Sequence, residues 1–462
     1  MHDIPMLENP GDGIGSTSIS YFDYMKFSFP ISINHMMDYL PSSLAFFILG
    51  QKDQLEVQST IGFGLTYIIF TFGYAPSIVD LIGLQISSLC DSKKYKEVTE
   101  TVGKALLCIM AYILGSILMG FFSKEIMLFL GIEHSLALRS SNFIKFLTLP
   151  KMIEIGTFVV KSMLISQKIT GVFMYVNLVS VFNLFFFSYL FMYVYDFNEL
   201  GYFLTLLIKT SCEMILFSYS LVKLGNRECF FIPSFKSITN NIGEMFTYSV
   251  NILIGNYGEW TAVEVNSYFA ALMKKVSYIV AWSCTMNVCG LNYLLGFGEV
   301  AYLRTHGSIA IGMKNKKRFD EVRRKCLIFG VSNHIGISIL VIIFAGQISS
   351  FYTSDPETHR VMTNLLYILS IMLIVDWSLL YNSTSLRLIN LEQFQFRTMA
   401  LIFPIVMVFF SLVFAFGLNL EVYGLLIGFT FSDITVNIIM HLKFAKSIDS
   451  YFEEQGEKEI QN

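Results

Sequence analysis

Glu259, Glu264 and Asp376 stand inside long apolar runs. A carboxylate at bilayer depth costs a few kcal/mol on insertion scales, so each of these acids needs a function or a partner. Glu259 and Glu264 are five residues apart, about 140° around a helix, and so lie on different faces. Glu264 shares its face with Trp260, Tyr257 and Tyr268, and Glu259 shares one with Asn256 and Asn266. A carboxylate beside aromatic rings suits an organic cation: the charge meets the acid, and the rings add cation–π and stacking area. The bland reading makes either glutamate a span-end acid, or pairs it with Lys209 or Lys274. Asp376 and Ser383 form a polar stripe on one side of their run, with either a functional or a hydrogen-bonding role.

Other polar residues are weaker candidates. Asn34 and Asp38 share a face, with His35 beside them, as a second proton or cation site. Glu154 has Lys151 and Lys161 in its own run, which favours an internal ion pair. Lys209 and Glu213 are spaced i, i+4 and read as a structural salt bridge. Glu299 has Arg304 or nearby loop backbone as expected partners, and Asp80 is undecided. Phe182, Phe185, Phe186 and Phe187 read as a lipid-facing surface. No phosphate-binding loop, metal-ligand spacing or activated nucleophile is visible, so neither an enzyme nor a metal or cofactor is expected. The seven cysteines form no CxxC pair and read as free thiols.

The elements that must hold these groups follow from composition. The 462 residues are 54% hydrophobic and 15% charged, with mean hydropathy +0.58, against about 25% charged in soluble domains. This excludes a disordered chain, a disulfide-rich secreted module and an ordinary cytosolic enzyme. The net charge of −3 gives no case for nucleic acid. Twelve runs are long enough to cross a bilayer: 26–49, 60–87, 102–122, 141–165, 170–194, 202–222, 247–271, 276–303, 327–345, 362–386, 398–416 and 423–443. The longer loops are 223–246 and 304–326. The reading is an all-α polytopic membrane protein, with residues 1–25 a polar tail lacking the marks of a cleaved signal. Lys and Arg number 23 in the segments assigned inside and 6 in those assigned outside, which puts both termini in the cytosol.

An internal repeat divides the chain. Lys93-Lys94-Tyr95-Lys96-Glu97-Val98 parallels Lys317-Arg318-Phe319-Asp320-Glu321-Val322, and Phe122, Ile126 and Phe129 parallel Phe344, Ile348 and Phe351. Six spans per unit give two parallel bundles, 26–222 and 247–443, joined by a cytosolic linker at 223–246 and followed by an acidic tail at 444–462. Such bundles are related by a pseudo-two-fold axis along the membrane normal and flank a cavity, and rocking one against the other gives alternating access.

The chain resembles the multidrug and toxic compound extrusion (MATE) family, eukaryotic type, from Lys26 to about Phe452. The residues that carry this are Glu259-Trp260-Thr261-Ala262-Val263-Glu264, the Gly296 to Arg304 segment followed by Gly312, Phe351-Tyr352-Thr353-Ser354-Asp355-Pro356-Glu357, Asn183 with Ser188-Tyr189-Leu190, and Val422-x-Gly424-Leu425-x-Ile427-Gly428. It departs from the family pattern at Ser88, Asp91 and Ser92, at His306, Gly307 and Ala310, and at Leu388 and Asn390. The resemblance implies that Glu259 and Glu264 bind protons and cationic substrates, and Asp376, eleven residues before Arg387, stands where the family has a span-ten glutamate. The function implied is a secondary antiporter in the plasma or an organelle membrane, exporting organic cations and xenobiotics as a monomer in exchange for protons, or for sodium. The alternative is a flippase or exporter of a lipid-linked or amphiphilic metabolite in the same superfamily; a channel would need a charged or carbonyl-lined ring.

Overall fold

The computed structural model describes residues 20–460 except 38, 74, 76–77, 80–85, 87–88, 91–93, 168, 170 and 227–233; at 34, 235, 248, 251–260 and 454–460 the backbone alone is described. Among the described residues the regular structure is helical. The helices are α1 (Tyr21–Met37), α2 (Leu40–Gln51), α3 (Leu55–Phe72), α4 (Tyr95–Phe121), α5 (Ser123–Phe129), α6 (His134–Ser166), α7 (Gly171–Ser188), α8 (Asn198–Leu224), α9 (Phe235–Thr239), α10 (Ile242–Leu272), α11 (Val276–Gly312), α12 (Lys316–Ile343), α13 (Ala345–Tyr352), α14 (Pro356–Leu388), α15 (Glu392–Arg397), α16 (Phe403–Ser411) and α17 (Glu421–Ile460). Wider π turns extend α7 over Tyr189–Val194 and flank α16 at Thr398–Ile402 and Leu412–Gly417.

Among the described residues the expected spans fall mainly on helix, and residues 74, 76–77, 80–85 and 87 of the run 60–87 lie outside the described residues. Eight helical segments among the described residues are long and apolar enough to cross a membrane. The apolar runs of α6 and α11 are interrupted by charged or amide side chains, several of which line the central cavity described below. Two expectations change. The run 26–49 is not one helix: α1 ends at Met37, Tyr39 is a turn, and α2 begins with Pro41 in its first turn, where proline's missing N–H costs nothing. The segment 304–326 is not a loop either, since α11 runs to Gly312 and α12 starts at Lys316. Lys and Arg end an apolar run without ending a helix, because both are good helix formers.

Sequence motifs explain the joints. Asp355-Pro356 is a helix start: the Asp355 carboxylate accepts from the Thr358 amide at 2.7 Å and Pro356 takes the first position of α14. Asn315 caps α12 by accepting from the Arg318 amide at 2.9 Å. Gly424 and Gly428 bring α17 so close to α16 and its π turn that a Cβ on either would overlap the backbone at Ala415 or Ser411, the small-residue packing that membrane helices use in place of hydrophobic drive.

Two apolar cores result. One joins α2, α3, α4, α6 and α8 through Leu49, Ile61, Phe63, Tyr67, Phe143 and Leu147. The other joins α10 to α17 through Trp282, Leu365, Leu369, Met407, Leu425 and Met440. α1 packs on α11 of the second unit, where the Ser32 hydroxyl donates to the Leu295 carbonyl at 2.7 Å. Phe182, Phe185 and Phe186 lie on the exterior.

Candidate functional site: a cavity between the two bundles

A cavity of about 230 Å³ lies between the two cores and is lined from α2, α3, α6, α8, α10, α11, α14, α16 and α17. Its walls differ chemically. On the first-bundle side, Pro150 interrupts the helical amide ladder of α6 next to Lys151 and Glu154, which pair at 2.6 Å. Lys209 on α8 lines the same wall and pairs with Glu213 at 2.9 Å, both nearly fully buried. The Ser180 hydroxyl of α7 donates to Glu213. Glu154 also lies within electrostatic reach of Lys209 and Lys161. This wall is therefore a network of cations and acids that largely cancel.

The second-bundle wall carries carboxylates. Glu264 on α10, Asp376 on α14 and Asp433 on α17 all line the cavity and are each less than a tenth exposed. Ser267, one turn on from Glu264, faces it at 3.5 Å and accepts from the Trp282 indole at 3.0 Å. That bond fixes the rotamer of the hydroxyl beside the acid. Cys289 on α11 also lines the cavity, within electrostatic reach of both Asp376 and Asp433, and Tyr39 lies within reach of Glu264.

The other expected site residues are placed as follows. Glu259, Trp260 and Tyr257 lie on α10, but their side chains are outside what the structure describes, as is that of Asn34 on α1; Asp38 and Asp80 lie outside the described residues. Tyr268 is not in the cavity wall: its ring packs edge-to-face on Phe63 of α3 at 5.1 Å. His35 packs against Phe297 at 5.6 Å.

Glu299 is buried away from the cavity, and its partners differ from those expected. It accepts from the Asn333 amide at 2.8 Å and faces His334 at 3.3 Å, both on α12. Arg304, one and a half turns along the same helix, is exposed. The partners of this acid lie across a helix interface and not along its own helix, where sequence spacing points. Asp433 was missed altogether, yet it meets the criterion that found Asp376, an acid in a run long enough to span. Asn287, Tyr39 and Tyr202 also line the cavity and carry no comparable signal.

The sequence model of the MatE family matches residues 252–413, which include Glu264 and Asp376. No curated protein matches the chain. Among solved structures, the chain is similar to an inward-facing multidrug resistance MATE family transporter of the MOP superfamily, with TM-score 0.82 at 12% identity over 94% of this chain and 99% of that one. It is similar to the eukaryotic MATE transporter AtDTX14, with TM-score 0.71 at 13% identity over 94% and 98%. It is also similar to the Vibrio cholerae MATE transporter VcmN in a point-mutant form, with TM-score 0.64 at 15% identity over 94% and 99%. Residues 252–413 thus match the MatE family model, and the chain as a whole is a helical membrane protein with the fold of MATE transporters.

Proposed function

We propose that the protein is an ion-coupled antiporter that exports organic cations through the cavity between its bundles. The observation that carries this reading is the convergence of Glu264, Asp376 and Asp433, from three helices, on one wall of that cavity. Opposite them the lysines are already matched by Glu154 and Glu213, so the cavity favours positive cargo. A flippase for an anionic lipid-linked substrate would need the reverse balance.

Coupling follows from competition for the same carboxylates. With the cavity open outward, an acid takes up a proton and the site loses a charge. At about 4 Å and an effective dielectric near 20, one lost charge weakens a cation by about 4 kcal/mol, close to a thousandfold in affinity. The cargo leaves outside. With the cavity open inward, the proton dissociates and a new cation binds, which is linkage between two ligands of one site. Sodium would compete at the same acids by the same logic. Both termini face the cytosol in this scheme, and one chain suffices.

Proteoliposomes carrying the purified chain should accumulate a fluorescent organic cation when a proton gradient is imposed, and an imposed sodium gradient identifies the coupling ion. Failure of both gradients to drive uptake overturns the reading.

A further inference from the structure

The cavity is roofed at the end that the basic-residue bias assigns to the outside, and the roof is a seam between bundles made largely of main-chain acceptors. The Gly50 carbonyl at the end of α2 accepts from both the amide and the hydroxyl of Ser354, at 3.2 and 2.8 Å. Next to it, the Gln51 side-chain amide donates to the carbonyls of Ser350 and Phe351 at 2.9 and 3.1 Å. The Gln58 amide on α3, wholly buried, donates to Phe46 in its own bundle at 3.1 Å and to the Tyr352 carbonyl across the seam at 2.8 Å. Directly beneath, Asn287 on α11 exchanges bonds with Ser42 and Ser43 of α2 and accepts from the Tyr352 hydroxyl at 2.8 Å. Phe47 and Phe351 stack at 4.1 Å over the same line.

Two features separate this seam from ordinary packing. Its partners come from α2 and α3 on one side and from α11, α13 and the 353–354 turn on the other, so every cross-seam bond must break if the bundles part at this end. The approach is also closer than any residue with a Cβ allows: a Cβ on Gly50 would overlap the Tyr352 carbonyl. In a low-dielectric interior an amide such as Gln58 released from its acceptors must find others, which makes the closed and open arrangements two discrete states.

We infer that Gly50, Gln58 and the 350–354 segment form the outer gate of the transport cycle, closed in this structure, with Gly50 the position whose lack of a side chain permits closure. This rests on the alternating-access reading above.

The test uses full-length protein in right-side-out vesicles and reads the gate apart from transport. Cys289 lines the cavity, so its labelling by a membrane-impermeant maleimide, located by peptide mass, reports access from outside. In the parent protein Cys289 should be protected; in Gly50→Ala it should label at least tenfold faster. Should Gly50→Ala fail to reach the membrane, a Gln51→Cys/Ser350→Cys pair carries the test. Its disulfide should form in the resting protein, stop uptake, and release it on reduction. Unchanged labelling in well-folded Gly50→Ala, or full-rate transport by the cross-linked pair, overturns the gate. Faster labelling of Gly50→Ala together with no gradient-driven uptake by the parent protein leaves the gate standing and removes the antiport reading.

Discussion

Asn382 on α14 donates its amide to the side-chain oxygen of Asn437 on α17 at 2.9 Å, and Asn437 donates in turn to the Val375 carbonyl at 2.9 Å. Val375 precedes Asp376, and Asp433 lies one turn before Asn437, so this clamp sets the relative height of two of the cavity acids. Interhelical hydrogen bonds in membranes average about 0.6 kcal/mol and reach about 1.7. Asn437→Leu should therefore lose about 1 kcal/mol of stability, seen as a lower unfolding midpoint in detergent, and should weaken cation binding. If neither changes, the clamp does not hold the acids.

Neutralising the carboxylate wall without altering its shape separates charge from packing. Glu264→Gln and Asp433→Asn should each lower gradient-driven uptake at least tenfold while protein in the membrane stays at the parent level, measured by quantitative blotting beside the transport assay. Full uptake by both variants would show that neither acid couples ion to cargo.

The Lys209–Glu213 pair makes an opposite prediction. Removing one member of a buried pair strands a charge and costs about 3 kcal/mol or more, whereas replacing both is often nearly neutral. Lys209→Met should lower thermal stability sharply, and Lys209→Met/Glu213→Gln should recover much of it. Equal losses in the single and double variants would mean that the pair is not coupled.

At the start of α17, Glu421 accepts from the Tyr278 hydroxyl and pairs with Lys275 at 3.0 Å. These bonds, Tyr278 first, hold its carboxyl below the usual carboxylate range, and the Tyr278 and Glu421 bonds raise the Lys275 ammonium. A lowered acid pKa adds stability that is present above the ordinary carboxylate pKa and fades as pH falls through the lowered value. The difference in unfolding midpoint between the parent and Glu421→Gln should hold from pH 7 to 5 and shrink as the pH falls below the ordinary carboxylate range. A difference that stays constant through acid titration would place its origin elsewhere than in this carboxylate.

How far the sequence carried depended on the kind of contact. Spans such as 141–165 and 362–386 were legible because bilayer thickness imposes length on an apolar run, and α6 and α14 contain them whole. Lys151 with Glu154 and Lys209 with Glu213 were legible because helical spacing alone brings them together. The break at Tyr39 was not, since a count of apolar residues passes over Pro41. Nor was the pairing of Glu299 with Asn333 and His334, which depends on how α11 crosses α12. For Tyr268 the spacing places it on the face of Glu264 but does not say which neighbour its ring meets, and here that is Phe63 of α3.

The seam at Gly50 has one more consequence, for mutational tolerance. Four of its acceptors, at Gly50, Ser350, Phe351 and Tyr352, are main-chain carbonyls, which every residue type supplies equally. Substitution at Ser350 therefore leaves these acceptors in place as long as the backbone path is kept, whereas Phe351 also lends its ring to the stack on Phe47. The side-chain information needed to close the molecule sits at few positions, and substitution at Ser350 should come out nearly silent beside one at Gly50, at Gln58 or at Tyr352, whose hydroxyl donates to Asn287.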